Sequence, residues 1–437
     1  MMTRFRSTVA VFASLVLSQV SFANDAELTC VMPNNIPAQP SLESWQALRP
    51  ILAAQLNQCL HSDEYFALYG ASLLYTGRIS RAVEMLERSL LINPFNGSAR
   101  LDYAQALFQS NQLIAALQVN QALLDEPNLP EHLKGYLEER KAAWSKQLHY
   151  WDNQFTYLYG HSSNLNNATN IEQLNLISAD QLIPAIIAPD YRAQSGGFHY
   201  ASLLSRYYSL TPDGTERLSF AVNTRDSHLD QADTDELKLT YETETESLNQ
   251  RNHWSIGLEH LRLGDNGLYS ALDGKFTVYP RSEPTSYVEL EGRYVDFTGQ
   301  SLLDETSFMV RPGLIFSDNN MRFGFEIGFG LNKQIDDRAG GDRSQQEASI
   351  FYDLALFRGR LTSRLSYLRT HDSESYSSLF GDNKRDTKSL TTSIQYFYPI
   401  NNDWIIHGSY YHRDQESNID LFDTKTESID LGFTYRF

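Results

Sequence analysis

After Val20 the sequence has no apolar run near the 18 or so residues that a membrane helix requires. The mean hydropathy is −0.41, which is typical of water-soluble proteins. Only helices and closed β-barrels satisfy every backbone polar group within lipid. A membrane location for this chain would therefore require a β-barrel.

Positive charge is also scarce, with 36 Lys and Arg residues against 54 Asp and Glu residues and a net charge of −18. Such a surface repels a phosphate backbone, so we expect no nucleic-acid partner. The only cysteines are Cys30 and Cys59, and no CxxC or HExxH spacing occurs. A disulfide between the two cysteines is possible in an exported protein. We expect no catalytic thiol, metal site or cofactor.

The first 23 residues have the pattern of a secretory signal. Arg4 and Arg6 precede an apolar run from Val9 to Val20, and Ser21 and Ala23 supply the small residues of a cleavage site. The residues before Cys30 lack the small-residue box that lipid attachment requires. We therefore predict a signal peptide over 1–23 and an exported chain without a lipid anchor.

We predict a helical domain over 24–148, because the periodicity is helical from residue 41 to about residue 147 and two copies of one unit lie within this segment. Ala82 and Ala115, and likewise Pro94 and Pro127, are 33 residues apart, close to the 34-residue period of tetratricopeptide repeats. Two repeats need capping helices, which we predict over 41–60 and 130–147, for about six helices in all. The predicted domain is an α-helical tetratricopeptide-like solenoid that engages a client protein, or else a spacer.

From residue 149 to Phe437 the period changes from 3.6 to 2. In the segment 321–332, apolar residues beginning with Met321 and Phe323 alternate with Arg322, Glu326 and glycines. We count about fourteen such segments, joined alternately by short turns and longer loops. The predicted fold is therefore α+β and multidomain, with the helical solenoid followed by a 14-stranded antiparallel transmembrane β-barrel over 149–437.

In bacterial barrels the short turns face the periplasm and the long loops face the exterior. We therefore predict a barrel in the cell outer membrane, surrounded by its lipid, with the helical domain in the periplasm. The last strand ends with Phe433, Tyr435 and Phe437 on one face. This pattern resembles the signal by which the barrel-assembly machinery recognises its substrates.

The inward face of the predicted barrel carries charges of both signs. Two interpretations remain open: a ladder of ion pairs that stabilises a hydrated barrel, or a path for a polar polymer or an unfolded polypeptide. His260 and His407 belong to no recognisable catalytic motif, so we predict that the protein is not an enzyme. The candidate lumen residues are Glu289, Glu291, Arg293, Arg311, Arg322, Glu326, Arg360 and Arg364.

A short tetratricopeptide domain joined directly to a barrel of about fourteen strands resembles the surface lipoprotein assembly modulator family. The segment YLYGHSSNLNNATN, residues 157–170, is similar to the segment after the first barrel strand in that family. Ser163, Asn164 and Asn166 match the family pattern, whereas His161 and Ser162 replace its usual start and the acidic residue is missing. The resemblance implies translocation of a surface lipoprotein or a secreted protein across the outer membrane.

Two other functions remain open. In exopolysaccharide exporters, tetratricopeptide repeats also precede a barrel, but usually in larger number, and an anionic polymer would favour a basic lumen over the mixed one predicted here. A diffusion porin would leave the helical domain without a role.

Overall fold

The structure is a computed structural model that describes residues 30–33, 36–37, 40–127, 129–178, 181–282 and 284–437. The described residues form two compact units, one up to Lys141 and one from Ala142 to Phe437. The predicted signal peptide, 1–23, lies outside the described residues. Within the described part of the chain, no helix is both long enough and apolar enough to cross a membrane.

Six α-helices precede the barrel in the described part of the chain, as the periodicity predicts. They are α1 (Leu42–Gln55), α2 (Asp63–Tyr75), α3 (Ile79–Ile92), α4 (Gly97–Gln109), α5 (Leu113–Leu124) and α6 (Glu131–Ser145). Side-chain oxygens of Ser41, Ser62 and Asn96 accept backbone N–H bonds at the starts of α1, α2 and α4. These caps satisfy donors that the first helical turn leaves without partners.

The helix pairs α2–α3 and α4–α5 repeat with a period of 34 residues, one more than the sequence spacing predicts. Gly77 and Asn111 both adopt positive φ between the two helices of a pair. The N–H of the next residue then donates a hydrogen bond to the carbonyl five residues earlier, Arg78 to Leu73 in one pair and Gln112 to Leu107 in the other. The fully buried equivalent of Ala82 is therefore Ala116 and not Ala115.

Close approach of α2 to α3 forms the centre of this unit. A Cβ at Gly70 would lie 2.5 Å from Leu86 Cγ, so the contact requires glycine. Tyr65 and Phe66 are buried beside Leu86, and the Tyr65 hydroxyl donates to the Leu52 carbonyl at 2.5 Å. Cys30 and Cys59 form a disulfide with an S–S distance of 2.07 Å.

The second unit is a closed antiparallel barrel of fourteen strands, and a small hairpin, β2–β3, lies between the first and second of them. Neighbouring strands along the chain pair with each other, and β1 closes the barrel on β16. The strands are β1 (His149–Ser162), β2 (Gln173–Ser178), β3 (Gln181–Ile186), β4 (Gly196–Thr211), β5 (Gly214–Ser227), β6 (Thr234–Glu246), β7 (Gln250–Leu263), β8 (Asn266–Pro280), β9 (Thr285–Phe297), β10 (Glu305–Asp318), β11 (Met321–Gln334), β12 (Arg343–Leu356), β13 (Gly359–Ser375), β14 (Lys384–Pro399), β15 (Trp404–Ser417) and β16 (Thr424–Arg436).

Alternate residues of the barrel strands are apolar and exposed on the outside. In β11, for example, Ile327, Phe329 and Leu331 are exposed, while Glu326 on the opposite face is buried. A wall of exposed apolar side chains around a polar interior is the arrangement of a transmembrane barrel, because lipid covers the outside. The barrel strands have 13 to 17 residues, enough to cross a bilayer at the tilt usual for barrels.

Connections alternate between the two ends of the barrel, as the sequence predicts. The short-turn end has connections such as 319–320 and 357–358, and the long-loop end has 228–233, 298–304 and 418–423. In these three long loops an aspartate accepts the N–H of a residue at the end of the preceding strand: Asp233 from Ser227, Asp304 from Phe297 and Asp423 from Ser417. Each such bond closes a compact loop.

The first loop, 163–195, contains the β2–β3 hairpin, which the sequence analysis missed. Its start is fixed to β16: the Ser163 N–H donates to the Glu427 carbonyl, and Ser163 Oγ accepts the Glu427 N–H, both at 2.8 Å. Thr169 Oγ1 donates to the Asp423 carbonyl at 3.0 Å, and Asn170 Oδ1 accepts the Lys425 N–H. The closure between β1 and β16 thus continues beyond the strands at the long-loop end.

Candidate functional site

All eight predicted lumen residues point into the barrel, and most are paired across strands. Arg311 in β10 contacts three carboxylates: Glu289 at 2.9 Å, Glu347 at 3.1 Å, and Glu291. Its guanidinium is about four-fifths buried, so these contacts form largely away from water. One arginine therefore ties together β9, β10 and β12.

Glu326 in β11 is the centre of a second group. It accepts hydrogen bonds from the Tyr287 hydroxyl at 2.5 Å, the Ser349 hydroxyl at 2.7 Å and the Arg364 guanidinium at 2.6 Å. A buried carboxylate needs several donors to offset its lost hydration. Four strands, β9 and β11 to β13, supply this group.

The other predicted residues extend the same ladder. Arg293 binds Glu259 at 3.1 Å, and Arg360 binds Asp353 at 2.9 Å. Arg322 contacts no carboxylate among the described residues, and its guanidinium lies 5.4 Å from the centre of the Phe351 ring. The ladder interpretation therefore describes seven of the eight residues.

The ladder belongs to one side of the lumen, which we call the packed wall and which consists of the inward side chains of β7 to β12. Many of these side chains are less than a tenth exposed, although they face the interior of the barrel. They are Ser255, Glu259, Ala271, Asp273, Thr277, Tyr287, Val295, Met309, Ile315, Glu326, Asn332 and Ser349.

The other side, which we call the open wall, comprises inward side chains of β14, β15, β16 and β1. Most of them are uncharged and half-buried, and Ser162 and Ser389 are buried exceptions at 2% and 5% exposure. Thr156 and Thr434 share a hydrogen bond of 2.8 Å across the closure between β1 and β16, and Ser409 donates to Asp430 at 2.6 Å. Its members that are not buried include Gln154, Thr156, Thr391, Ser393, Gln395, Ser409, Tyr411, Thr426, Ser428, Asp430 and Thr434.

A polar cavity of about 440 Å³ lies between the edges of the two walls. Arg322, Glu326 and Arg364 line one side, and Ser393 and Gln395 of β14 line the other. These hydroxyl and amide positions are not among the predicted lumen residues, all of which are charged. The alternating Thr391, Ser393 and Gln395 of β14 are the signal that was available.

The first loop also folds into the mouth of the barrel at the long-loop end. Leu165 is buried against Phe198 and packs beside Tyr200, both inward residues of β4. The Arg225 guanidinium, on the inward face of β5, donates to the Leu165 carbonyl at 3.3 Å and lies over the Phe198 ring at 4.6 Å. Asn164 is 3% exposed and stabilises this turn by two hydrogen bonds. Its side-chain amide donates to the Ala168 carbonyl, and its Oδ1 accepts the Ala168 N–H.

In the helical unit, a group of polar side chains joins α2, α4 and α6. The Tyr75 hydroxyl donates to Asp102 at 3.0 Å, and Trp45 stacks on Tyr75 at 5.4 Å. Burial raises the pKa of Asp102 to about 6, although the Tyr75 hydroxyl and the charge of Arg140 oppose this rise. Arg140 is itself held by Asn120 Oδ1 at 2.6 Å.

The two histidines considered as catalytic candidates lie on opposite faces of the barrel. His260 is on the outer wall, where its Nδ1 is 3.0 Å from Ser270 Oγ. Asp296 of β9 is in register with Ser270, and Asp235 of β6 faces Arg262 at 3.5 Å, but neither forms a hydrogen bond with the imidazole. No acid therefore orients the imidazole among the described residues, as nucleophilic catalysis would need. His407 lies inside the barrel, 3.2 Å from Thr434.

The predicted assembly residues lie together on the outer face of β16 and the chain beyond it. Phe433, Tyr435 and Phe437 form an aromatic group with Trp404 of β15, whose ring centre is 4.8 Å from that of Tyr435. Their recognition by assembly machinery stays a prediction.

No protein-family model matches the chain. No curated protein matches it either. Among solved structures, the barrel aligns with an anion-selective porin from Comamonas acidovorans at 7% identity and a TM-score of 0.38, covering 66% of this chain and 99% of that one. It also aligns with the outer membrane channel DcaP of Acinetobacter baumannii at 10% identity and a TM-score of 0.38, covering 67% and 99% of the two chains.

Proposed function

We propose that the protein is an outer-membrane translocon that carries an extended protein client, either a surface lipoprotein or a secreted protein, through its barrel. The helical unit lies in the periplasm in this proposal and receives the client or its chaperone. Folding of the client outside the cell supplies the driving force, since the periplasm has no nucleotide supply.

The observation that carries this proposal is the division of the lumen into two walls. A polymer path needs polar surface that is not already engaged, and open-wall residues such as Ser393, Gln395 and Ser428 provide it. The packed wall, by contrast, holds its charges in mutual pairs around Arg311 and Glu326. The helical repeats add a surface of the kind that binds protein segments.

The test is deletion of the gene followed by labelling of surface proteins on intact cells. We expect at least one lipoprotein or secreted protein to be lost from the surface while its total amount in the cell persists. Re-expression of the full chain should restore display. Unchanged surface display of every protein would contradict the proposal.

Two other outcomes would identify the alternatives. Loss of a secreted polysaccharide with unchanged surface proteins would indicate an exopolysaccharide exporter. A steady open channel in planar bilayers, with neither protein nor polysaccharide export affected by deletion, would indicate a diffusion porin.

A further inference from the structure

The interior of the barrel is filled unevenly. Inward side chains of β7 to β12 such as Thr277 and Ser349 are only 2% and 3% exposed, although they lie on the lumen face. The corresponding side chains Ser393 and Ser428, in β14 and β16, are half-buried. Buried inward positions are therefore more frequent on the packed wall than on the open wall.

Chemistry divides the lumen in the same way as burial. The packed wall is rich in carboxylates and guanidiniums that satisfy one another, as at Arg311 with its three glutamates. The open wall has fewer inward charges: Asp430 lies among hydroxyl and amide side chains, and Arg413 of β15 bonds the neutral Ser389 and Gln415. Neutral hydroxyls and amides bind the N–H and C=O groups of a passing chain without the strong attraction that would hold it in place.

Asp430 makes the open wall selective as well as polar. Its Oδ2 accepts from Ser409 at 2.6 Å, whereas its Oδ1 is buried and has no hydrogen-bond partner among the described residues. No Lys or Arg forms an ion pair with it in the described part of the chain. A carboxylate in that situation attracts a basic side chain and repels an acidic one.

We infer that the passage through the barrel is a lane along the open wall, that it accommodates an extended polypeptide, and that Asp430 favours basic side chains in that polypeptide. The position of the lane follows from burial and chemistry alone. Only the nature of the chain carried rests on the proposed function. The residues first selected as a path, such as Glu291 and Arg311, are wall structure in this arrangement.

The position of the lane is tested with matched cysteine variants of the full-length protein in liposomes. Ser393→Cys and Ser428→Cys place a thiol on the open wall, and Ser349→Cys and Ser255→Cys place one on the packed wall. The native cysteines are joined in a disulfide, which limits background labelling. A small charged methanethiosulfonate reagent is added, and modification is followed by mass spectrometry.

We expect the two open-wall thiols to react about tenfold faster or more, because reaction requires an accessible thiolate. Equal rates, or faster reaction on the packed wall, would overturn the inference. Heat-modified mobility in gels confirms that each variant is folded. This assay uses no client, so it can fail while the proposed function stands, and the converse also holds.

The preference of the lane for basic side chains is tested by measuring how strongly peptides block the current through single barrels in planar bilayers. The probes are two synthetic 20-residue peptides of Gly, Ser and Asn, one carrying four lysines and the other four glutamates, together with a neutral dextran oligomer. We expect the lysine peptide to block current most strongly, and Asp430→Asn to weaken that block about tenfold. Ser409→Ala is the matched control beside Asp430, and it should preserve most of the block.

Three results would contradict this part of the inference. One is equal block by the two peptides, and another is an unchanged block in the Asp430→Asn variant. The third is stronger block by the dextran than by the lysine peptide, which would assign the lane to a saccharide. A barrel that conducts no current at all would overturn the continuous lane.

Discussion

The two walls of the lumen are both built from antiparallel strands, but they differ in how many charged side chains they carry and in how those side chains are paired. The packed wall places arginines and glutamates in direct contact and removes them from water, as around Arg311 and Glu326. The open wall has few charges, and hydroxyl side chains such as Ser393 and Ser428 are only half-buried in it. Charge in this lumen therefore marks the part that is structural, whereas the uncharged polar part is largely left without ion pairs.

Removing Arg311 should have the largest effect, because it would leave three carboxylates close together and partly buried. We expect Arg311→Met to lower the free energy of unfolding by about 3 kcal/mol, the usual cost of breaking a buried ion pair. Urea titration of the barrel refolded into lipid vesicles measures the change.

The matched control for that variant is Arg413→Met. Arg413 bonds neutral groups, Ser389 Oγ at 3.2 Å and Gln415 Oε1 at 2.6 Å, and forms no ion pair among the described residues. Its loss should cost about 1 kcal/mol. Equal losses for the two variants would show that the two walls do not differ in how their charges are held.

The close packing of the packed wall predicts a second, smaller effect at Gly324. A Cβ at this position would lie 2.2 Å from Phe351 Cζ and 2.8 Å from the Leu314 carbonyl oxygen. We expect Gly324→Ala to destabilise the barrel by about 2 kcal/mol because the Phe351 ring must move. The same urea titration measures it.

Gly292 provides the control for this prediction. A Cβ at Gly292 meets nothing within 4 Å, so Gly292→Ala should leave stability nearly unchanged. If both alanine variants were equally stable, the Phe351 ring would not be packed on β11 as the structure has it.

Some of this organisation could be read from the sequence, and the reason is the strand period. Alternation over segments such as 321–332 fixes which residues face lipid, so the fourteen strands and the inward placement of Glu326 and Arg364 were predictable. The division between the walls was not. It depends on which strands become neighbours of the closure and on how far side chains such as Tyr287 reach across, neither of which a local pattern encodes.

The same limit explains the two local errors. The helical repeat was matched at Ala115 because composition alone cannot distinguish adjacent alanines, whereas the positive φ shared by Gly77 and Asn111 fixes the register. The β2–β3 hairpin was missed because its segment lacks a clear alternating pattern. The neighbouring segment, which begins at Ser163, was predicted only through its resemblance to a family pattern. Its hydrogen bonds to β16 depend on barrel closure, which a local sequence pattern does not encode.

The first loop offers a third prediction, on the side of the barrel where β1 closes on β16. Asn164→Ala removes side-chain bonds to the Ala168 backbone and to the Lys425 carbonyl. We expect the local opening free energy of residues 164–170 to fall by about 1 to 2 kcal/mol. Hydrogen exchange of these amides in the intact protein measures the change.

Asn175→Ala is the control for the loop, because Asn175 is exposed in β2. It should leave exchange at residues 164–170 unchanged. Equal acceleration in both variants would mean that the loop moves as one body and is not held at Asn164.

The smallest expected effect is the coupling across the closure between β1 and β16. Thr156 and Thr434 share one neutral hydrogen bond in accessible surroundings, so a double-mutant cycle with Thr156→Val and Thr434→Val should give about 0.5 kcal/mol. The comparison pair on the packed wall is Tyr287 with Glu326, tested by Tyr287→Phe and Glu326→Gln. A hydrogen bond to a buried carboxylate should give a coupling of about 2 kcal/mol. Couplings of the same size would mean that water reaches both walls alike, and the lane would then lose the physical distinction on which it depends.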